Sequence, residues 1–155
     1  MKTCECLLRP PRKAWLLLVL AGLAGCSSGP RKYPVHGKVV YPDGSPMKGG
    51  AVMFEPVENP FNVMARGFIN NEDGTFTLTT EKQGDGAMTG RYRAAVRGKL
   101  MRRGYGSIPE AANPAGGPQI HPRFESFKTS GLEFTVEPRT NTFVITVEKP
   151  PSPRS

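Results

Sequence analysis

Apolar and polar residues alternate in short bursts along most of the chain, and Gly, Pro, Asn and Asp stand between the bursts. A period of two marks a strand that buries one face. Val35–Tyr41 is rich in β-formers, and Pro42-Asp43-Gly44-Ser45 after it reads as a turn. Ala51–Glu55 predicts a second strand, and Val63–Ile69, which alternates more loosely, a third. Asn70-Asn71-Glu72-Asp73-Gly74 is another turn, and Thr75–Thr80 then places Phe76 and Leu78 on one face. Gly90–Lys99 sets Tyr92, Ala94 and Val96 against Arg91, Arg93, Ala95 and Arg97, a strand with one wet face. Leu132–Val136 and Thr142–Glu148 follow, the last with Phe143, Ile145 and Val147 in register.

Seven short strands with turns between them and no convincing amphipathic helix predict an all-β fold. The expected form is a seven-stranded antiparallel Greek-key β-sandwich, with a small barrel as the structural rival. Gly44 and Gly74 sit where a turn takes positive φ, and Asp43 and Asp73 are placed to accept bonds from turn amides. A calcium site on Asn71 and Asp73 is the competing reading, but it lacks the six to eight oxygen ligands that calcium takes.

One stretch breaks the pattern. Leu100–Gly131 is rich in Pro and Gly, and a loop of this length inside a domain is often a binding loop or disordered, here an ordered surface excursion or a mobile insertion. Its Arg102, Arg103, His121, Arg123 and Phe124 are the candidate binding residues, with a short helical turn near Pro109–Ala112 as an option. Phe124 and Phe127 flank Glu125, either as a recognition patch or as pins to the core.

A different pattern opens the chain. Residues 1–13 carry Lys2, Arg9, Arg12 and Lys13 against Glu5, and Ala14–Gly25 is wholly uncharged. This apolar run is shorter than the ~20 residues of a spanning helix, and the chain turns polar directly after it. The order predicts a signal peptide over 1–25, a tether over 26–33, the folded domain over 34–149 and a disordered tail over 150–155.

The run ends Leu23-Ala24-Gly25-Cys26, which resembles the lipobox of bacterial lipoproteins at all four positions. That resemblance implies lipid in thioether linkage on Cys26, cleavage between Gly25 and Cys26, and acyl chains holding the protein to a membrane. A plain secretory signal, an uncleaved anchor and a short buried helix are the competing readings. Cys4 and Cys6 would leave with the signal, and the domain after Cys26 contains no cysteine. No disulfide can therefore brace it, and it must rely on a packed core or on partners.

From Ser27 onward the chain has 17 Lys and Arg against 12 Asp and Glu, a net charge near +5. The basic residues are scattered, with one small cluster at Arg97, Lys99, Arg102 and Arg103. This favours a solvated face that leans toward anionic envelope polymers or lipid headgroups over a nucleic-acid partner.

The body of the chain also resembles a family. Pro34-Val35-His36-Gly37-Lys38-Val39, Asp43-Gly44 before Pro46, and Gly50-Ala51-Val52 before Phe54 are similar to the start of a carboxypeptidase-regulatory-like or transthyretin-like domain. Asp73-Gly74-Thr75-Phe76 and Gly90-Arg91-Tyr92 are similar to its later hallmarks, in the order seen in small lipoproteins of planctomycete-like bacteria. The resemblance spans about Tyr33–Glu148. It implies a β-sandwich of prealbumin type that serves as an accessory for folding, adhesion or binding. The hydrolytic branch of that family carries a C-terminal tetrapeptide beginning Tyr-Arg, which this chain lacks.

Little in the chain points to catalysis. His36 and His121 have no Cys, Asp or second His at ligand spacing, so neither a metal nor another cofactor is expected. Ser107 and Ser126 read as loop residues, and a carboxylate pair of Glu110 and Glu125 is a remote option. The expected function is a non-catalytic binding or structural module of the cell envelope, lipid-anchored on the extracytoplasmic side of the cell membrane or outer membrane. Its expected partners are membrane lipid, through Cys26, and an envelope protein or wall polymer. The alternative is an envelope hydrolase or transferase with a site in the 100–131 loop, built from His121, Glu110 and Arg123. Ser27 after the lipid cysteine favours the outer membrane by analogy with enterobacterial sorting.

Overall fold

A computed structural model describes residues 30–58, 63–98 and 117–151. The chain divides between Pro30 and Arg31, and the description below concerns the second unit.

Nine strands form among its described residues: β1 (Lys32–Tyr33), β2 (Val35–Val40), β3 (Ala51–Pro56), β4 (Ala65–Phe68), β5 (Thr75–Thr77), β6 (Ala87–Met88), β7 (Gly90–Arg97), β8 (Leu132–Val136) and β9 (Asn141–Thr146). They make a three-stranded sheet, β5-β2-β9, a four-stranded sheet, β4-β3-β7-β8, and a two-stranded ribbon, β1-β6. The result is an all-β, sandwich-like fold. Alternation decides which side chains face inward, as expected of half-buried strands. Val35, Val39 and Ile145 of the smaller sheet share one core with Val52, Phe54, Tyr92 and Val96 of the larger. Burial of each such aliphatic or aromatic side chain contributes about 1.5–3 kcal/mol. Phe54 lies at the centre of the aromatic packing, 5.3 Å from Phe134 and 6.1 Å from Phe143 between ring centroids.

The expectation of a seven-stranded antiparallel Greek-key sandwich of prealbumin type is corrected in two respects. First, the described residues form nine strands in three sheets. The two additional strands are two residues long, too short for any period to show. Lys32 pairs with Met88 and Tyr33 with Ala87. Among the described residues strand structure therefore begins at Lys32, inside the stretch read as tether. Gly86 permits this ribbon, because a Cβ there would sit 1.8 Å from the Tyr33 carbonyl oxygen. Second, β9 runs parallel to β2 over Val35–Val40 and Asn141–Thr146. Although β8 and β9 are joined by a short turn, they do not form a hairpin. The Asn141 side chain holds that turn: Oδ1 accepts from Glu137 N at 3.0 Å, and Nδ2 donates to the carbonyls of Glu137 at 3.1 Å and Arg139 at 2.6 Å. The chain thus leaves one sheet and enters the other, where β9 lies along β2 in the same direction.

The described part of the long loop, 117–131, is packed. Pro122–Glu125 forms a 3-10 turn, and Ile120 and Phe124 join the core at 7 % and 2 % exposure. Ser130 Oγ donates to the Ala94 carbonyl at 2.6 Å and anchors the return into β8.

Candidate functional site

The β4–β5 hairpin is the corner where the two larger sheets meet. Strand β4 pairs with β3 in one sheet and β5 with β2 in the other. The hairpin is closed at both ends. At the turn, Asn70 N donates to Thr75 O at 2.7 Å and Gly74 N to Asn70 O at 3.1 Å. At the far end, Arg66 N donates to Thr79 O at 2.9 Å and Thr79 N to Arg66 O at 2.7 Å. Between these links the arms share no ladder, since each is committed to its own sheet. Their outer sides border an open groove of about 650 Å³.

Two rows of alternating side chains line it. Arg66, Phe68 and Asn70 project from one arm. Thr75, Thr77 and Thr79 project from the other, and Gln83 and Gly84 overhang one end. Phe68 is half-buried, while Arg66, Thr75, Thr77 and Gln83 are exposed.

Local bonds fix much of this surface. Thr75 Oγ1 donates to Asp73 Oδ1 at 2.7 Å, so it faces the groove as an acceptor. Thr79 Oγ1 accepts from Gly84 N at 3.0 Å. His36 Nδ1 lies 3.1 Å from Thr77 Oγ1, which holds the exposed imidazole beside the threonine row. Asn70 Oδ1 accepts from Glu72 N at 2.8 Å, leaving its amide N–H groups as donors. Among the described residues, the Arg66 guanidinium and the Gln83 amide have no side-chain partner. No carboxylate among the described residues lines the groove.

The overhanging turn is built on Asp85. Its Oδ1 accepts from Thr80 N at 2.7 Å, and its Oδ2 accepts from Lys82 N at 3.1 Å and Glu81 N at 3.2 Å. Lys32 Nζ stands 3.4 Å away and ties the turn to β1. Burial pushes the Asp85 carboxyl upward, but these N–H donors and Lys32 outweigh it and hold it below the ordinary aspartate value.

The two expected turns lie nearby. Asp43 Oδ1 accepts from Ser45 Oγ at 2.5 Å and Ser45 N at 2.9 Å, and these bonds lower its pKa. Asp73 Oδ1 accepts from Thr75 N at 2.9 Å as well as from the hydroxyl, and its pKa is likewise lowered. Gly44 and Gly74 take φ of 79° and 74°. Gly74 also packs tightly, since a Cβ there would approach the Val39 carbonyl to 2.7 Å.

The loop residues are engaged in building the fold. The His121 ring accepts from Arg123 N at 3.2 Å and caps the 3-10 turn, while His121 N donates to Glu148 O at 2.7 Å. The Arg123 guanidinium pairs with Glu148 at 2.9 Å and lies over the Phe124 ring at 4.5 Å. Phe124 itself is buried, and Glu125 and Ser126 are exposed. Leu23, Ala24, Gly25, Cys26, Arg102, Arg103, Ser107 and Glu110 lie outside the described residues. Among the described residues no three His, Cys, Asp or Glu side chains gather closely enough to hold a metal ion.

The groove residues were not among the sequence candidates, which centred on the 100–131 loop. A signal for them was present. Counting outward from the Asn70–Gly74 turn in antiparallel register sets Arg66 opposite Thr79 and Phe68 opposite Thr77. The chain matches no protein-family model, no curated protein and no solved structure.

Proposed function

We propose that this chain is an extracytoplasmic lipoprotein, held to a membrane by acyl chains on Cys26, whose sandwich-like domain is a non-catalytic binding module of the cell envelope. The membrane half rests on sequence: a basic start, an uncharged run of signal-peptide length and the Leu23-Ala24-Gly25-Cys26 junction. Two or three acyl chains give durable anchorage, since each buried methylene contributes about 0.8 kcal/mol. The ordered motifs similar to carboxypeptidase-regulatory-like lipoproteins agree with an accessory role.

The observation that carries the binding half is the groove on the β4–β5 corner. It is concave and open, and it presents polar groups that the fold leaves unused. By contrast, His121 and Arg123 spend their polar atoms on capping and on Glu148. Membrane fractionation with and without Cys26→Ser tests the anchor, and crosslinking in intact envelopes tests the module. The expected result is loss of membrane association in the variant and capture of an envelope component by the wild type. A variant that stays in the membrane fraction, or a wild-type domain that captures nothing, contradicts the corresponding half.

A further inference from the structure

We infer that the β4–β5 groove binds an acidic saccharide, a sugar chain bearing carboxylates of the uronate kind. This deepens the binding reading above and rests on it. The inference comes from a donor surplus. The groove offers the Arg66 fork, the Asn70 amide N–H groups and the Gln83 amide as donors. Thr75 Oγ1, its proton given to Asp73, is an acceptor, but among the described residues no carboxylate lines the surface and Arg66 is the one charged lining side chain, so cationic donors outweigh the acceptors. A fitting ligand must be rich in acceptors and carry negative charge. A planar guanidinium without a partner matches a carboxylate bidentately.

Two further features favour a sugar over a peptide. Phe68 stands half-exposed between Arg66 and Asn70, an apolar ring flanked by planar polar groups. That arrangement suits a ring with one C–H face and a rim of hydroxyls. A peptide would instead bring backbone N–H groups that can only donate, whereas each sugar hydroxyl can also accept from the groove's donors. Nor do the arms offer a peptide a continuous ladder, since their facing edges are already tied at one end by Arg66 and Thr79 and at the other by Asn70 with Thr75 and Gly74. The volume lies within the roughly 300–1,000 Å³ range of small-ligand sites.

The test titrates the full-length chain, in a zwitterionic detergent without sugar headgroups, with trigalacturonate. The comparators are its fully methyl-esterified form and triglutamate. Trigalacturonate is expected to bind, with the ester and the peptide trianion each about tenfold weaker or worse. Arg66→Gln removes a charge-assisted contact and is expected to weaken binding by about tenfold or more. Gln83→Ala, which changes no charge and sits on an exposed turn, is expected to weaken it several-fold. Arg31→Gln, outside the groove, leaves it unchanged and controls for net charge. Thermal melts confirm that each variant folds. Absence of trigalacturonate binding overturns the inference. So does equal binding of triglutamate, which would show plain polyanion attraction, or wild-type affinity in Arg66→Gln, which would place the site elsewhere. If the inference fails while envelope crosslinking still captures a component, the binding-module reading stands without it.

Discussion

Arg66 and Thr79 exchange two backbone hydrogen bonds across the corner of the fold, at 2.9 and 2.7 Å. The arms they stand on lead into different sheets, so this isolated pair closes the corner, and both residues line the groove. Proline at position 79 removes one donor and leaves the Arg66 carbonyl without it. Thr79→Pro is expected to destabilise the domain by about 2 kcal/mol or more, read from the denaturant midpoint. Thr79→Ser keeps both the backbone bonds and a hydroxyl and is expected to remain within about 0.5–1 kcal/mol of wild type.

Asn141 is the corresponding device at another crossing between sheets, from β8 to β9. It is 6 % exposed, and its side chain makes three bonds to the turn from β8 to β9. Asn141→Ala strips all three and leaves turn groups short of partners. A loss of about 2–3 kcal/mol in unfolding free energy is expected, and Asn141→Asp, which keeps one acceptor but sets a buried carboxylate oxygen against the Glu137 and Arg139 carbonyls, loses at least as much at neutral pH.

These two residues also show what the sequence discloses and what it does not. Phe76 and Leu78, or Phe143, Ile145 and Val147, face inward because alternation fixes faces, and those strands were legible. Direction and partner are another matter. Nothing in the period of Thr142–Val147 says that β9 runs parallel to β2; that follows from the side-chain bonds of Asn141 and from the crossing they hold. Lys32–Tyr33 and Ala87–Met88 are too short to show a pattern, and they pair through the close approach at Gly86. The groove was half-legible. Arg66 and Phe68 read as outward positions, as do Thr75 and Thr77, but their facing one another depends on where each arm finds its sheet.

Three carboxylates set the response to acid. Asp43 is lowered by its bonds from Ser45, Asp73 by its bonds from Thr75, and Asp85 by N–H donors that overcome its burial. For a depressed carboxylate, stability is fully present above the unfolded value, near ~3.9, and is lost as pH falls through the folded value. The melting temperature is therefore expected to stay level from about pH 7 to pH 5 and to fall below about pH 4. Asp85→Asn is expected to cost about 1–2 kcal/mol at neutral pH and to make the acid decline shallower. Melts across the pH range read both.

Strand β9 carries no charge from Asn141 to Thr146, lies at the edge of its sheet among the described residues, and leaves Val144 66 % exposed. An uncharged edge is open to pairing with other strands. Val144→Lys is expected to change stability by less than about 0.5 kcal/mol and to slow aggregation on heating, as followed by light scattering. A large loss of stability would show that Val144 is covered in the folded protein.

The central claim, that a small binding module is fixed to a membrane through Cys26, is tested most directly by the intact mass of the protein recovered from cells. The expected species begins at Cys26 and carries added acyl mass on that residue. A chain that retains Met1, or one that begins at Cys26 with an unmodified thiol, would contradict it.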